Sequence, residues 1–386
     1  MRFALLGNHP DGLEFACALI ESGSHELICY STNVAAGYEK RFGGRARLVP
    51  DLEEILADPA VELVVVAGSA ANRPTQLRRA LQSERHVACV YPPDDSPDIA
   101  HEASMIQGDT RKVLFPILPD VLHPAVQEMQ RFFEASLNEA IVRAEIHAAA
   151  LKGSEVNALC FPTWDVLRGL GGEIAEVVGL ARSETVVGDE PVLINGRFGP
   201  GLLFQVSYVP ARGREDWTIV LEKEKNRVEL SWPTGPRGPA YLSRWEEGGE
   251  LQEEAWTAWD PWGELVKMLD EQLALQDGTL LRSVAKHVVP SWRDVIRGLE
   301  LDDALRRSIK QRRSVVLDYQ EGSEEVGFKG TMTLVGCGLL WLLVVALILG
   351  KWFPALLWGV APLLILFLGL QVFRWVIPRK DQTETE

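Results

Sequence analysis

The chain has 386 residues, 47% of them apolar, with 39 basic against 54 acidic side chains and a formal net charge of −15. That length holds two ordinary domains plus appendages, and the acidic balance excludes both the basic patch of a nucleic-acid surface and docking by charge on anionic lipid. Five scattered cysteines (Cys17, Cys29, Cys89, Cys160, Cys337) with no C-x-x-C pair read as reduced thiols in a cytosol-facing protein, and the seven histidines lack ligand spacing, so no metal is predicted.

Phe3-Ala-Leu-Leu6 reads as a buried strand that enters Gly7-Asn-His9-Pro-Asp-Gly12 and then a helix from Leu13 to Glu21. In a G-x-G-x-x-G dinucleotide turn the first glycine allows the bend, the second lets the backbone approach the pyrophosphate, and the third packs the helix on the strand. Gly7 and Gly12 hold the first and third places, and His9 holds the second. Its side chain crowds the resting place of the pyrophosphate at the helix N-terminus, although a protonated ring would itself meet a phosphate. A strand and a turn that merely packs a helix explains the same residues equally well.

Glu26-Leu-Ile-Cys-Tyr30 is a second strand, and Asp51-Leu-Glu-Glu54 starts a helix with an acidic cap and first turn, both favoured at the positive end of its dipole. Val61-Glu-Leu-Val-Val-Val66 is an apolar strand of the parallel type. Pro74 suits the first turn of a helix reaching about Ser83, and His86-Val-Ala-Cys-Val90 is a fourth strand. Strands alternating with helices imply βαβ units and a doubly wound α/β sheet. The opening Met1-Arg-Phe-Ala-Leu-Leu is too short and too soon interrupted for a signal peptide.

The second half changes character. Strand-like runs at Ala140 to His147, Gly201 to Val209, Trp217 to Glu222, Asn226 to Trp232 and Ala240 to Trp245 predict a large, mostly antiparallel sheet. Helical patterns at Pro124 to Glu134, Trp164 to Leu170, Pro261 to Leu275 and Trp292 to Gln311 make this an α+β domain. Leu221-Glu-Lys-Glu-Lys225 reads as a charged hairpin edge that discourages strand addition. Glu246-Glu-Gly-Gly-Glu250 with Glu253 and Glu254 reads as a solvated loop. Trp256, Trp259 and Trp262 are either a sugar-stacking platform or, the favoured reading, an aromatic cluster packing ahead of a helix.

The strongest compositional shift is C-terminal. Thr331 to Gly350 carries no charge over about 20 positions, enough to cross a hydrocarbon core about 30 Å thick, and a second uncharged tract runs from Ala355 to Phe373 after Lys351-Trp-Phe-Pro354. Two such tracts predict a transmembrane helical hairpin over 331–378. Lys310, Arg312, Arg313 and Lys329 precede it and Arg374, Arg379 and Lys380 follow it, so the positive-inside rule places both termini in the cytoplasm of an inner-membrane protein. The expected division is 1–118 Rossmann-like domain, 119–318 α+β domain, 319–330 linker, 331–378 membrane hairpin and 379–386 polar tail.

Several local patterns carry a resemblance: Leu6-Gly7 to Gly12; Val61 to Val66 followed by Gln82-Ser-Glu-Arg-His86-Val-Ala-Cys-Val90-Tyr91-Pro92; Asp165-Val-Leu-Arg168-Gly-Leu-Gly-Gly172; and Trp292-Arg-Asp-Val-Ile-Arg-Gly-Leu-Glu300 running to Arg313. In that order the chain resembles the glucose-fructose oxidoreductase and inositol dehydrogenase (Gfo/Idh/MocA) family. The resemblance implies a Rossmann domain, a second domain with a large open sheet whose exposed face often serves self-association, bound NAD or NADP, and oxidation of a sugar or cyclitol hydroxyl.

The chain departs from that pattern where chemistry is handled. Tyr91 stands where the family has the lysine of Glu-Lys-Pro, followed by Pro92. Pro162 stands at the histidine of His-x-x-Asp, while Asp165 is kept. Tyr30-Ser31-Thr32-Asn33 replaces the acid expected on the ribose, leaving Ser31 or Thr32 to meet a ribose hydroxyl or a 2′-phosphate. The cofactor-binding candidates are therefore Gly7, His9, Gly12, Ser31, Thr32 and Pro92. Tyr91, whose phenol titrates near 10 without a cationic neighbour, and Asp165, a basic or orienting carboxylate or else the start of a helix beside Trp164, are the catalytic candidates. Lys152, in Lys152-Gly-Ser-Glu155, is a further candidate for the same cleft. Two readings follow: a membrane-anchored NAD(P)-dependent oxidoreductase for a sugar-like substrate, or a non-catalytic nucleotide- or sugar-binding scaffold.

Overall fold

The computed structural model describes residues 1–44, 46–134, 141–149, 157–184, 190–211, 215–223, 226–235, 237–276 and 290–317. Residues 1–317 form one compact unit. The expected linker, membrane hairpin and tail lie outside the described residues, as does Lys152; of Cys160 and Pro162 only the backbone is described. Among the described residues no helix is long and apolar enough to cross a membrane.

The first sheet is built from β1 (Arg2–Gly7), β2 (Glu26–Tyr30), β3 (Arg47–Leu48), β4 (Leu63–Ala67), β5 (His86–Val90) and β6 (Leu114–Ile117). Between them run α1 (Pro10–Glu21), α2 (Ala36–Arg41), α3 (Leu52–Ala57), α4 (Arg73–Gln82) and α5 (Pro97–Thr110). The strand order is β3-β2-β1-β4-β5-β6, and the neighbours run parallel. Helices on both faces explain why β4 is apolar at every position and buried throughout. Local chemistry sets the helix starts: Asp51 caps α3 by accepting from the Glu53 N–H at 3.0 Å, and Pro74 lies in the first turn of α4. This order has its topological switch point between β1 and β4, which opens a crevice at their carboxyl ends.

After β6 a short 3-10 turn (Asp120–Leu122) leads to α6 (Pro124–Glu134), β7 (Ile141–Ala149) and α7 (Asn157–Gly171). Then come β8 (Ile174–Ala181), β9 (Val192–Phe198), β10 (Leu203–Ala211), β11 (Asp216–Lys223), β12 (Asn226–Trp232), β13 (Ala240–Glu246), β14 (Gln252–Trp256), α8 (Trp262–Gln276), α9 (Trp292–Gln311) and β15 (Val315–Val316). These strands form one sheet in the order β14-β13-β12-β11-β7-β10-β9-β8-β15. Only β7 and β10 pair in parallel, so the sheet is mostly antiparallel, as expected. Alternating burial along β9 and β11 puts one face on the core with Trp232, Phe198 and Trp164. The other face is open and carries a depression of about 460 Å³ between charged side chains such as Arg143, Glu222 and Arg227.

Two helices return to the first sheet. Leu265, Met268 and Leu269 of α8 share a core with Phe3, Leu5, Phe15 and Leu19, and His25 Nε2 lies 2.9 Å from Asp270 Oδ1. On the other face the Trp292 indole of α9 donates to the Ala100 carbonyl of α5 at 2.8 Å. The two sheets are thereby locked into one body.

Several expectations are corrected. Helix α7 starts at Asn157, seven residues before Trp164, so Asp165 sits inside a helix and does not begin one. The hairpin at Leu221 is interior, since β11 pairs with β7 and β12 with β13. Of its charges, Glu222 is a cross-strand partner on the open face, opposite Arg227 and 3.0 Å from Arg143. The acid that guards a true edge is on β14, where Glu253 and Glu254 are exposed strand residues and not part of a loop. Strands β8 and β9 escape a propensity reading because each contains a glycine. At Gly179 a Cβ would lie 2.5 Å from Leu305 of α9, and at Gly196 it would lie 2.3 Å from Phe204, so close packing required those glycines.

Helix α9 also buries a carboxyl. Asp302 is 4% exposed, and burial pushes its pKa up to about 7 against the pull of Arg306, with Asp95 and Asp303 adding to the rise. A carboxyl raised in the fold binds its proton more tightly there than in the unfolded chain, so its contribution to stability falls as pH climbs from about 4 through 7. We expect Asp302→Asn, which cannot ionise, to match the parent at pH 4 and to exceed it by up to about 4 kcal/mol at pH 8 in urea unfolding. Equal stability at both pH values would show that Asp302 ionises normally.

Candidate active site

The crevice at the carboxyl edge of the first sheet begins with the turn after β1. Gly7 has φ +102°, and a Cβ there would lie 2.2 Å from the Ala67 carbonyl oxygen of β4. The His9 N–H donates to that same oxygen at 3.0 Å. At Gly12 a Cβ would lie 2.2 Å from the Ala67 Cβ, so the missing side chain is what lets α1 lie on β4. The first and third glycine roles are both realised as contact distances.

His9 is the N-cap of α1, and its Nδ1 accepts from the Asp11 N–H at 3.3 Å. The ring thus folds onto its own helix and satisfies one of the donors that a helix N-terminus offers an anion. Beyond β2, Ser31 Oγ accepts from the Gly7 N–H at 3.1 Å and lies 3.3 Å from Thr32 Oγ1. Ser31 therefore steadies the turn, and with Thr32 it stands at the end of β2 where no carboxylate follows.

Tyr91 and Pro92 leave the end of β5, joined by a cis peptide bond. Arg73, at the start of α4, is 4% exposed. Its Nε and Nη2 donate to the Gly68 carbonyl at 3.2 and 3.0 Å, and its Nη1 donates to the Pro92 carbonyl. Burial lowers its pKa, while Cys89 and Asp11 oppose that fall; guanidinium keeps its charge regardless. A fixed cation therefore ties the loop after β4 to the Tyr91–Pro92 turn. The sequence reading missed it because Arg73-Pro74 looks like an ordinary helix start.

Asp165, on α7, is 7% exposed. Burial pushes its pKa up to about 7, Asp294 and Asp120 push the same way, and Arg168 pulls against them. Arg168 cannot neutralise it fully: its Nη1 is 3.8 Å from Asp165, while its Nε and Nη2 serve Glu173 at 3.1 and 3.2 Å and Asp294 at 3.0 Å. Asp294 is itself held in the capping box of α9 with Ser291. Val90 of β5 pairs with Ile117 of β6, so Tyr91 and Asp120 leave neighbouring strands on the same edge. Asp120 lies close enough to Asp165 for its charge to be felt. Pro162 falls within α7.

Arg237, between β12 and β13, closes the far side. Its Nη1 and Nη2 donate to Asp11 at 2.6 and 3.1 Å, its Nε donates to Asp120 at 3.0 Å, and its guanidinium stacks over Trp262 at 5.4 Å. Asp120 is raised in pKa by burial, against Arg237. Next to it His123 packs edge-on to Trp232 and Trp259, and burial pulls its pKa down to about 4 while a hydrogen bond at the Gly238 backbone opposes that fall. It is a neutral packing residue near pH 7. The tryptophan cluster accordingly packs: Trp259 and Trp262 join the core beneath α8.

The edge thus gathers Gly7, His9, Gly12, Tyr91, Pro92 and, through Asp120, Asp165, with Ser31 and Thr32 at its β2 end. There Gly7 and Gly12 keep the first- and third-glycine packing of a dinucleotide turn against Ala67, His9 holds the second place, and Asp165 is a buried carboxyl with a pKa of about 7. Asp11 and Arg237 were not singled out from sequence, and an acid in the first turn of α1 was the available signal for Asp11.

No family model matches the sequence, and no curated protein is significantly similar to it. Solved structures are. An oxidoreductase from Pseudomonas syringae superposes with TM-score 0.69 at 12% identity, over 82% of this chain and 99% of that one. Levoglucosan dehydrogenase in complex with NADH and levoglucosan gives 0.65 at 15%, over 83% and 100%. The WlbA dehydrogenase from Bordetella pertussis in complex with NADH and UDP-GlcNAcA gives 0.63 at 16%, over 83% and 99%. The similar structures are oxidoreductases of the Gfo/Idh/MocA type, and the likeness establishes that this chain has their fold.

Proposed function

We propose that the chain is an NAD(P)-dependent oxidoreductase acting on a hydroxyl of a sugar-like or cyclitol substrate, held at the inner membrane by 331–378 with its folded part and both termini on the cytoplasmic side. The observation that carries the chemistry is Asp165, a buried carboxyl whose pKa of about 7 suits a general base at physiological pH. The cofactor, bound along the switch-point crevice, supplies the hydride acceptor. Asp165 takes the hydroxyl proton during oxidation and returns it during reduction. Arg73 fixes the Tyr91–Pro92 turn beside the substrate, with the Tyr91 phenol as a hydrogen-bonding group in the place of the family's lysine. Gly7, His9, Gly12, Ser31, Thr32 and Pro92 line the cofactor's path. The levoglucosan and UDP-GlcNAcA named for the similar structures support a polyhydroxylated substrate, and the uncharged tracts at 331–350 and 355–373 support the anchor.

A second reading has its own support. The His9 ring occupies the Asp11 N–H, which favours a non-catalytic module that keeps the two-domain shell to bind a nucleotide, a sugar or a partner. Full-length protein in detergent, assayed for reduced-nicotinamide absorbance with NAD and NADP against anhydrosugars, cyclitols and UDP-sugars, separates the two. The oxidoreductase reading expects turnover of at least one of these. Cofactor binding with no turnover of any would favour the non-catalytic module.

A further inference from the structure

We propose that Arg237 is the cofactor-phosphate ligand of this crevice, held in reserve by Asp11 and released to the pyrophosphate when a dinucleotide enters. The inference rests on the dinucleotide reading above and adds a residue from the second domain that no glycine-turn pattern contains.

Asp11 is in the first turn of α1, so its carboxylate enjoys the positive end of the helix dipole. A phosphate approaching that turn wants the same field and meets a like charge already there. What offsets this charge is Arg237, whose fork grips Asp11 through two nitrogens while its third, Nε, holds Asp120. One guanidinium thus serves two carboxylates, and while its fork stays on Asp11 it cannot meet the phosphate of an entering dinucleotide.

The geometry allows that exchange. The Arg237 side chain is 39% exposed, whereas Asp11 and Asp120 are 19% and 13% exposed, so the cation lies at the wet rim and the acids behind it. Phosphate and carboxylate present matching oxygen pairs to a guanidinium fork. Nε can stay on Asp120, with the ring of Trp262 beneath, while Nη1 and Nη2 leave Asp11 for a phosphate oxygen. His9 has already taken the Asp11 N–H, so the helix offers an anion less than an open glycine turn does. Arg237 makes up that deficit from across the crevice. The Asp11 contact then works against binding, because it must be broken first.

The opposite expectation is a plain tie between domains. In that case Asp11→Asn and Arg237→Gln both loosen the crevice and weaken binding together. Under the proposal the two variants move in opposite directions. Titration of full-length protein in detergent with NADH, followed by tryptophan-to-nicotinamide energy transfer, is expected to give Asp11→Asn a Kd lower than the parent's by about tenfold, the worth of one charge-assisted contact. Arg237→Gln is expected to bind at least about tenfold more weakly. The double variant should resemble Arg237→Gln, since releasing a cation that is absent gains nothing. Asp11→Ser, which leaves a small uncharged polar group in the first turn, repeats the test should Asp11→Asn fold poorly. If the parent binds NADH and neither Asp11 variant tightens it, Arg237 is a tie and the inference is overturned. If neither parent nor variants bind NADH, the dinucleotide reading itself has failed.

Discussion

Asp165→Asn is expected to lower kcat/KM by about 10²- to 10⁴-fold, the usual contribution of a positioned acid–base group, while leaving NADH affinity within about twofold. The reason is that asparagine keeps the shape of a carboxyl that is protonated half the time near pH 7 but cannot exchange the proton. The pH dependence follows in sign. In the parent, oxidation requires the ionised form, so its rate rises with pH through about 7, and reduction, which requires the protonated form, falls over the same range. Asp165→Asn should abolish both inflections. Its stability at pH 8 should equal or exceed the parent's, because an amide removes the cost of ionising a 7% exposed group. A variant with parental kcat and a parental pH profile would make Asp165 a member of the Arg168 charge network and nothing more.

Gly7→Ala is expected to be the most damaging conservative change in the crevice. The residue would need φ +102°, and its Cβ would sit 2.2 Å from the Ala67 carbonyl oxygen and 2.4 Å from the Gly68 Cα. Both obstacles are backbone, so either β1 or β4 must shift at its carboxyl end, and we expect a loss of about 3 kcal/mol or more in urea unfolding. Gly12→Ala meets a different obstacle, the Ala67 Cβ at 2.2 Å. Removing that methyl with Ala67→Gly should therefore rescue much of the stability lost in Gly12→Ala and none of that lost in Gly7→Ala. Equal rescue of both would mean that the turn is looser than its contact distances indicate.

These contacts also show what could be read in advance. The doubly wound sheet was legible because buried parallel strands such as Leu63–Ala67 are apolar at every position, and long periodic helices such as Trp292–Gln311 betray themselves. Strands β8 and β9 were not, since Gly179 and Gly196 answer to packing partners far away in the chain. The site divides in the same way. Gly7, His9, Gly12, Tyr91 and Asp165 follow from local spacing and from resemblance. Arg73 and Arg237 matter through what they touch: Arg237 meets Asp11 across 226 positions, and no local pattern encodes that meeting. The pKa of Asp165 likewise comes from burial and from Asp294 and Asp120, none of which its neighbours in sequence reveal.

An oxidoreductase built on this fold needs the crevice between β1 and β4 to accept a nicotinamide dinucleotide despite His9. A fluorescence titration of the detergent-solubilised full-length protein with NADH tests this most directly. We expect saturable binding below about 1 mM that weakens when Gly7 is replaced by alanine. No saturable binding at millimolar NADH would contradict it and leave a Rossmann shell without its cofactor.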